Sequence, residues 1–278
     1  MMKKVVALML AAVLALSLAA CGNNAANVAN EANEVNYAKS VAGASVVAEA
    51  GSAGEELATG DAYFADATFT PVDSMAKALM EVESGTADIA IVDYVTSIGS
   101  IGEGTDYADL KVVEGKDFSP EEYGIAFRKG SDLTEAVNAV IAELMADGTM
   151  DKIGKAYKLD QLLVKDGKAG EQEVVEGDLA YVKEKGELVI GMTLFAPMNY
   201  YDENKELIGF ETEFAKAVCE KLGVKAKFVE INWDTKEIEL NAKSIDCIWN
   251  GMTITEERQA NMSISVPYMQ NKQVMVAK

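Results

Sequence analysis

Asn250-Gly-Met-Thr-Ile-Thr-Glu-Glu-Arg258 decides how the rest of this chain is understood. The run before it, Ser244-Ile-Asp-Cys-Ile-Trp249, is apolar and of strand length. Gly251 lets the backbone leave that strand. Thr255 followed by Glu256 and Glu257 has the pattern of an N-cap with acids in the first helical turn. A strand end, a glycine, two hydroxyls, a new helix N-terminus and an arginine suit a small carboxylate. Free N–H groups and the helix dipole favour an anion there, and the guanidinium offers a planar two-pronged donor. From these residues alone, a capped helix with Arg258 as a solvated surface charge accounts for the pattern as well.

The neighbouring residues narrow the choice. Gly251-Met-Thr-Ile-Thr-Glu-Glu-Arg258, followed by Ser263-Ile-Ser-Val-Pro-Tyr268, resembles the signature of the amino-acid-binding proteins that feed ABC importers, the polar amino-acid branch of the two-lobed substrate-binding proteins. The resemblance extends over nearly all of residues 43–165 and 178–278. It implies an α/β fold of the type II periplasmic-binding-protein kind, with two lobes that are each a mostly parallel sheet flanked by helices. Two crossing strands join the lobes in such proteins.

Strands and helices alternate from Ala44 onward, which by itself points to a mostly parallel sheet covered by helices. Ala44-Ser-Val-Val-Ala48 reads as a strand, residues 54–59 as a helix start, Ser74 to Val82 as a helix ending at Gly85, and Ala87 to Asp93 as a buried strand. Leu133, Val137, Val140, Ile141, Leu144 and Met145 fall on one helix face, and residues 149–157 make a last short helix. Residues 164–178 are polar and Gly-bearing, a linker. Beyond it come a strand to Gly191, a strand and turn from Phe195, a helix from Gly209 to Leu222, a strand from Lys225 and a helix opened by Trp233-Asp234. The segment ends on a strand, Gln273 to Lys278.

By resemblance these pieces stand in an exchanged order. Glu49-Ala-Gly-Ser-Ala-Gly-Glu55 resembles the loop that opens the second lobe, and Glu122-Tyr-Gly-Ile-Ala-Phe-Arg-Lys-Gly-Ser-Asp132 the return crossing between lobes. Leu179-Ala-Tyr-Val-Lys-Glu-Lys-Gly-Glu-Leu-Val-Ile-Gly191 resembles the start of a relative. The expected organisation is therefore circularly permuted: lobe two over 43–123, completed by 271–278, and lobe one over 124–270 with the permutation linker at 164–178. A linker of about fourteen residues spans up to roughly 45 Å, enough to join termini on one lobe.

Residues 1–20 have the pattern of an export signal: Lys3 and Lys4, an apolar core from Val5 to Leu16, and Leu18-Ala-Ala-Cys21. That last string resembles a bacterial lipobox, which implies a lipid on Cys21, a flexible tether over 21–42 and an extracytoplasmic, membrane-anchored location. The formal net charge is −20, and losing the two signal lysines makes it more acidic. This argues against nucleic acid or an anionic membrane face as partner. The chain has no histidine, which excludes Ser/His/Asp and Cys/His catalysis and argues against a transition-metal site. Cys219 and Cys247 are expected as buried free thiols.

A free amino acid brings a carboxylate and an ammonium, and buried charges need partners. By resemblance Arg258 takes the carboxylate, helped by Thr253 and by backbone N–H groups around Ser52 and Ala53. Asp93 takes the ammonium together with the Gly251 carbonyl and the Thr253 hydroxyl, and Phe195 and Trp233 wall the side chain. Asp93 is equally placed to cap the next helix, and either aromatic could belong to the core. Met192 and Glu49 stand where some relatives contact the ligand side chain, and match neither the glutamine-binding nor the lysine/histidine-binding pattern. Trp249 and Asn250 are also unusual beside the glycine. The expectation is a monomeric binding protein without cofactor or metal that hands an amino acid to an ABC permease. The alternatives are a dehydratase-like enzyme on this fold, with Glu49 as its available acid or base, and a sensor subunit serving a membrane receptor.

Overall fold

The computed structural model describes residues 36–278 apart from 171 and 173. The expected signal, Cys21 and the tether as far as residue 35 lie outside the described residues. The first sheet region holds β1 (Ser45–Glu49), β2 (Thr68–Val72), β3 (Ile89–Asp93) and β4 (Lys111–Val112), with α1 (Ala53–Gly60), α2 (Met75–Glu83) and α3 (Tyr94–Ser100) between them. β5 (Pro120–Arg128), α4 (Leu133–Ala146), α5 (Thr149–Ala156), α6 (Asp178–Lys185), β6 (Glu187–Met192) and the hairpin β7 (Tyr200–Tyr201) with β8 (Leu207–Ile208) follow. The chain ends with α7 (Phe210–Leu222), β9 (Lys225–Glu230), α8 (Lys236–Asn241), β10 (Cys247–Thr253), α9 (Glu256–Asn261), β11 (Met262–Ile264) and β12 (Met269–Ala277).

The α/β architecture follows from the two periodicities in the sequence. In β1 and β3, Val46, Ala48, Ile89 and Ile91 face one apolar cluster while Val47, Ala90 and Val92 face another, so helices can cover both sides. Met75, Ala78, Leu79 and Val82 give α2 one buried stripe, and Ser74 caps it by accepting from Lys77 N at 3.1 Å. Phe214 of α7 meets Trp249 of β10 edge to face at 4.9 Å, so the unusual Trp249 is a core residue.

One sheet runs β2-β1-β3-β12-β5-β10-β6-β9, with β11 beside β5 and β4 beside β12. β12 changes partner part way along. Residues 269–272 pair antiparallel with Tyr123 to Pro120 of β5, and residues 273–276 pair with Asp93 to Ala90 of β3. β5 and β12 therefore run side by side in the middle of the sheet, between β3 and β10.

Two local readings differ from the structure. Gly251 does not end its strand: β10 continues to Thr253, and the ladder with β5 shifts register between Ile248 and Met252. Gly251 takes φ +57 at this bulge, and a Cβ there would come within 2.9 Å of Phe195 Cζ. From Phe195 the chain makes a turn closed by Asn199 N donating to Phe195 O at 3.0 Å. The expected strand begins after this turn, at Tyr200–Tyr201, where it pairs with β8. Cys219 and Cys247 are buried free thiols.

The end of the chain lies near the beginning of β1. Val276 faces Ala90 in β3, and β3 flanks β1 with Val46 opposite Ile89. Two strand spacings separate these edges, roughly 10 Å. On the opposite lobe, Val164 N donates to Tyr268 O at 3.0 Å and Gly177 N to Asp132 Oδ2 at 3.0 Å.

Candidate ligand-binding site

The bulged end of β10 leads into α9, where Thr255 Oγ1 accepts from Arg258 N at 3.1 Å and fixes the first turn. Arg258 is thereby turned inward and is 5 % exposed. Its Nη1 donates to Thr253 O at 3.0 Å, which sets the plane of the guanidinium. Nη2 reaches the opposite lobe, donating to Glu56 Oε1 at 2.7 Å and lying 3.4 Å from Gly51 O. Glu56 remains half exposed, so this pair is partly screened by water.

Lys236 adds a second cation from the same side. Its ammonium donates to Gly51 O at 2.8 Å and Trp233 O at 3.2 Å, and sits 4.9 Å from the Trp233 ring centre. Burial, followed by the nearby Arg258, lowers its pKa to about 8. Gly51 has φ +69, and a Cβ would lie 2.9 Å from Asp234 Cα. A side chain at 51 would force the lobes apart. The lobes also meet where Gly99 of α3 packs on Pro197. Ser52 caps α1 by accepting from Glu55 N at 3.2 Å, so Ser52 and Ala53 open a helix beside Arg258.

Asp93, at the carboxyl end of β3, is buried. It precedes α3 but makes no side-chain cap bond there. Instead it accepts from Tyr123 Oη at 2.7 Å, Asn271 Nδ2 at 3.1 Å and Gln273 Nε2 at 2.5 Å. These donors come from both crossing strands, so the carboxylate is tied to the junction of the lobes. Glu121 Oε2 shares the amides of Asn271 and Gln273, each at 3.0 Å, and accepts from Thr253 Oγ1 at 3.2 Å. Burial, reinforced by Glu121, pushes the Asp93 carboxyl above the ordinary carboxylate range. A positive charge brought against this pair would relieve both causes.

The rest of the site supports these groups. Glu211 accepts from Gly251 N at 2.8 Å and from the Tyr268 hydroxyl, and burial raises it to about 7. Asn250 Oδ1 accepts from Thr193 N at 3.0 Å, while its Nδ2 donates to Thr193 O and Asn199 Oδ1, both at 2.8 Å. This otherwise unusual residue thus links β10 to the turn that carries Phe195. Phe195 is buried against Gly251, and Trp233 packs in the cluster with Leu240, Ile245 and Ile248. Met192 is buried at the end of β6.

Arg258, Thr253, Ser52 and Ala53 therefore gather at one end of the junction, and Asp93 at the other with Thr253 between them through Glu121. Sequence reasoning missed Lys236, Glu56, Glu121, Tyr123, Asn271 and Gln273. Asn271 and Gln273 carried a usable signal: two amides at i and i+2 of one strand face the same side. Lys236 carried none, since a lysine in a short polar helix is ordinarily solvated.

Residues 188–278 match the bacterial extracellular solute-binding proteins, family 3. The L-cystine-binding protein TcyJ of Escherichia coli (strain K12) is 37 % identical over 94 residues, 34 % of this chain and 35 % of TcyJ. The octopine-binding periplasmic protein of Rhizobium meliloti is 39 % identical over 95 residues, 34 % of this chain and 32 % of that protein. The chain thus spans about a third of the length of these relatives. A crystal structure of arginine-bound domain 1 from TmArgBP is similar at 33 % identity, covering 36 % of this chain and 84 % of that one, with a TM-score of 0.32. These relatives are named as binding proteins. Among the described residues no helix is long and apolar enough to cross a membrane.

Proposed function

We propose that this chain is a solute-binding protein that closes two lobes over one free amino acid and delivers it to an ABC permease. The observation that carries this reading is the pair of buried, opposite charges at the lobe junction, Arg258 near the start of α9 and Asp93 at the end of β3. A zwitterion supplies the complement to both, and ligands of open α/β sheets bind at the carboxyl ends of strands. Arg258 takes the carboxylate with Thr253 and the Ser52–Ala53 helix start, and Asp93 takes the ammonium. Phe195 and Trp233 wall the side chain. Binding draws the lobes together about the β5–β12 pair.

The elements stand in circularly permuted order, with lobe two over 43–123 and 271–278, and lobe one over 124–270. The closeness of the β12 end to the β1 start supports this, because about three residues would bridge roughly 10 Å. Cys21 carries the lipid that holds the protein outside the cytoplasmic membrane.

A thermal-shift screen of the twenty amino acids plus prephenate tests the function. A ligand at a thousand times its Kd adds roughly 4 kcal/mol to stability, so a clear shift with an amino acid is expected. Turnover of prephenate would favour the dehydratase reading instead. The observation on that side is Glu49, a buried carboxyl at the junction whose pKa is raised to about 8, suited to a general acid.

A further inference from the structure

The first turn of α1 carries two adjacent acids, Glu55 and Glu56, at the edge of the junction. Glu55 stays within its own lobe, where Oε2 accepts from Gly51 N at 2.6 Å. Glu56 crosses to the other lobe, and its Oε1 accepts from Arg258 Nη2 at 2.7 Å. The two members of this pair sit in different surroundings. The Arg258 side chain is 6 % exposed and the Glu56 side chain 53 %. Glu56 can therefore swing into water at little cost, whereas Arg258 needs a partner where it is.

Glu56 stands on the nitrogen that a bound carboxylate needs. A guanidinium grips a carboxylate with two parallel N–H groups. The forks it offers are Nη1 with Nη2 and Nε with Nη2, so Nη2 belongs to both. Nη1 is held from its own lobe by Thr253 O at 3.0 Å. The neighbours of Nη2, Glu56 Oε1 and Gly51 O at 3.4 Å, both come from the facing lobe. Gly51 O keeps a donor when Nη2 turns away, because Lys236 Nζ donates to it at 2.8 Å. A ligand carboxylate added beside Glu56 would set two like charges on one nitrogen, which costs free energy in a partly buried site. One of them has to leave, and the half-exposed one is free to.

We propose that Glu56 is a built-in rival of the ligand carboxylate: it holds Arg258 across the junction and is displaced when an amino acid binds. This rests on the reading that Arg258 takes the ligand carboxylate. Glu56 then lowers the affinity for the amino acid, although it lies among the contacts that join the lobes. A half-exposed ion pair is weak enough for a ligand to break. While it is formed, only the molecules whose Arg258 is free bind, and the apparent affinity falls in proportion. For a pair of ordinary exposed strength that is a factor of about two to six. A pair that persisted with ligand bound would instead aid closure, and its loss would weaken binding. The sign separates the two.

Calorimetry on the full chain with each of the twenty standard L-amino acids tests this, using wild type, Glu56→Gln, Glu56→Ala, Glu257→Gln and Arg258→Ala. Glu56→Gln keeps the shape and removes the charge, and Glu56→Ala removes the pair altogether. Both should bind the amino acid that wild type binds most tightly about two- to sixfold more tightly still. Glu257→Gln takes the same charge from an exposed position in the first turn of α9. Its affinity should stay within about 1.5-fold of wild type, because solvent screens such a charge. Equal or weaker binding in the Glu56 variants overturns the proposal, as does equal tightening in Glu257→Gln. In those cases, loss of binding in Arg258→Ala leaves the amino-acid reading standing. If Arg258→Ala keeps wild-type affinity, or if none of the twenty binds wild type, both fall together. Should one Glu56 variant fail to fold, the other decides.

Discussion

Replacing Gly51 by alanine separates closure of the lobes from every other contribution to binding. Gly51 has φ +69, and a new Cβ would stand 2.9 Å from Asp234 Cα on the facing lobe. Two costs follow. A non-glycine residue in the left-handed region costs ~1–2 kcal/mol whether the lobes are open or closed. Crowding of backbone against side chain costs ~1–3 kcal/mol and is felt only when the lobes meet. Gly85 supplies the control, since it has φ +76 with open space around it. Both Gly51→Ala and Gly85→Ala should lower the melting temperature of the free protein by roughly 2–8 °C. In calorimetry with the strongest amino-acid ligand, Gly51→Ala should lose affinity by roughly 5- to 150-fold while Gly85→Ala keeps it. Equal affinities in the two variants would refute the reasoning, because the lobes would then not meet at Gly51 in the bound state.

The buried carboxyls give a pH dependence of defined sign. Glu49 and Glu211 sit at about 8 and about 7, above the unfolded value of about 4.3, so the folded chain holds protons that the unfolded chain releases. Their contribution is complete below the unfolded value and is lost as pH rises through the folded ones. The melting temperature of the free protein should fall between about pH 5 and 8, less steeply in Glu211→Gln; a rise across that window would contradict the assignment. A chain opened within residues 166–170, with Lys278 joined to Ala44 through about three residues, should fold and bind the same amino acid. Its failure to fold would count against the permuted order. Cys21→Ala should move the protein from the membrane fraction to the soluble one, and unchanged membrane association would remove the lipid anchor from the account.

Much of this was legible where periodicity and turn chemistry agreed. The stripe of α4, the N-cap at Thr255 and the buried run of β3 were all visible, because local propensity and burial demand the same residues there. Gly251 was legible as a special backbone position but not as a bulge. Whether a strand ends or kinks at a glycine depends on its partner, and β5 resumes pairing with Met252 and Thr253. The charges of the site were only half readable. Arg258 and Asp93 sit in recognisable strings, whereas Lys236 and Glu56 acquire meaning only when the lobes bring Gly51 between them. Glu49 stands at a recognisable position in its string, but its burial depends on contacts made only in the fold.

The most direct measurement is calorimetry of Arg258→Ala and Asp93→Ala with the amino acid that gives wild type its largest thermal shift. Removing one member of a buried charge pair costs ~2–5 kcal/mol, a loss of roughly 30- to several-thousand-fold in affinity. Each variant should remain folded without ligand and lose nearly all binding. Wild-type affinity in either one would mean that Arg258 and Asp93 do not form a zwitterion site.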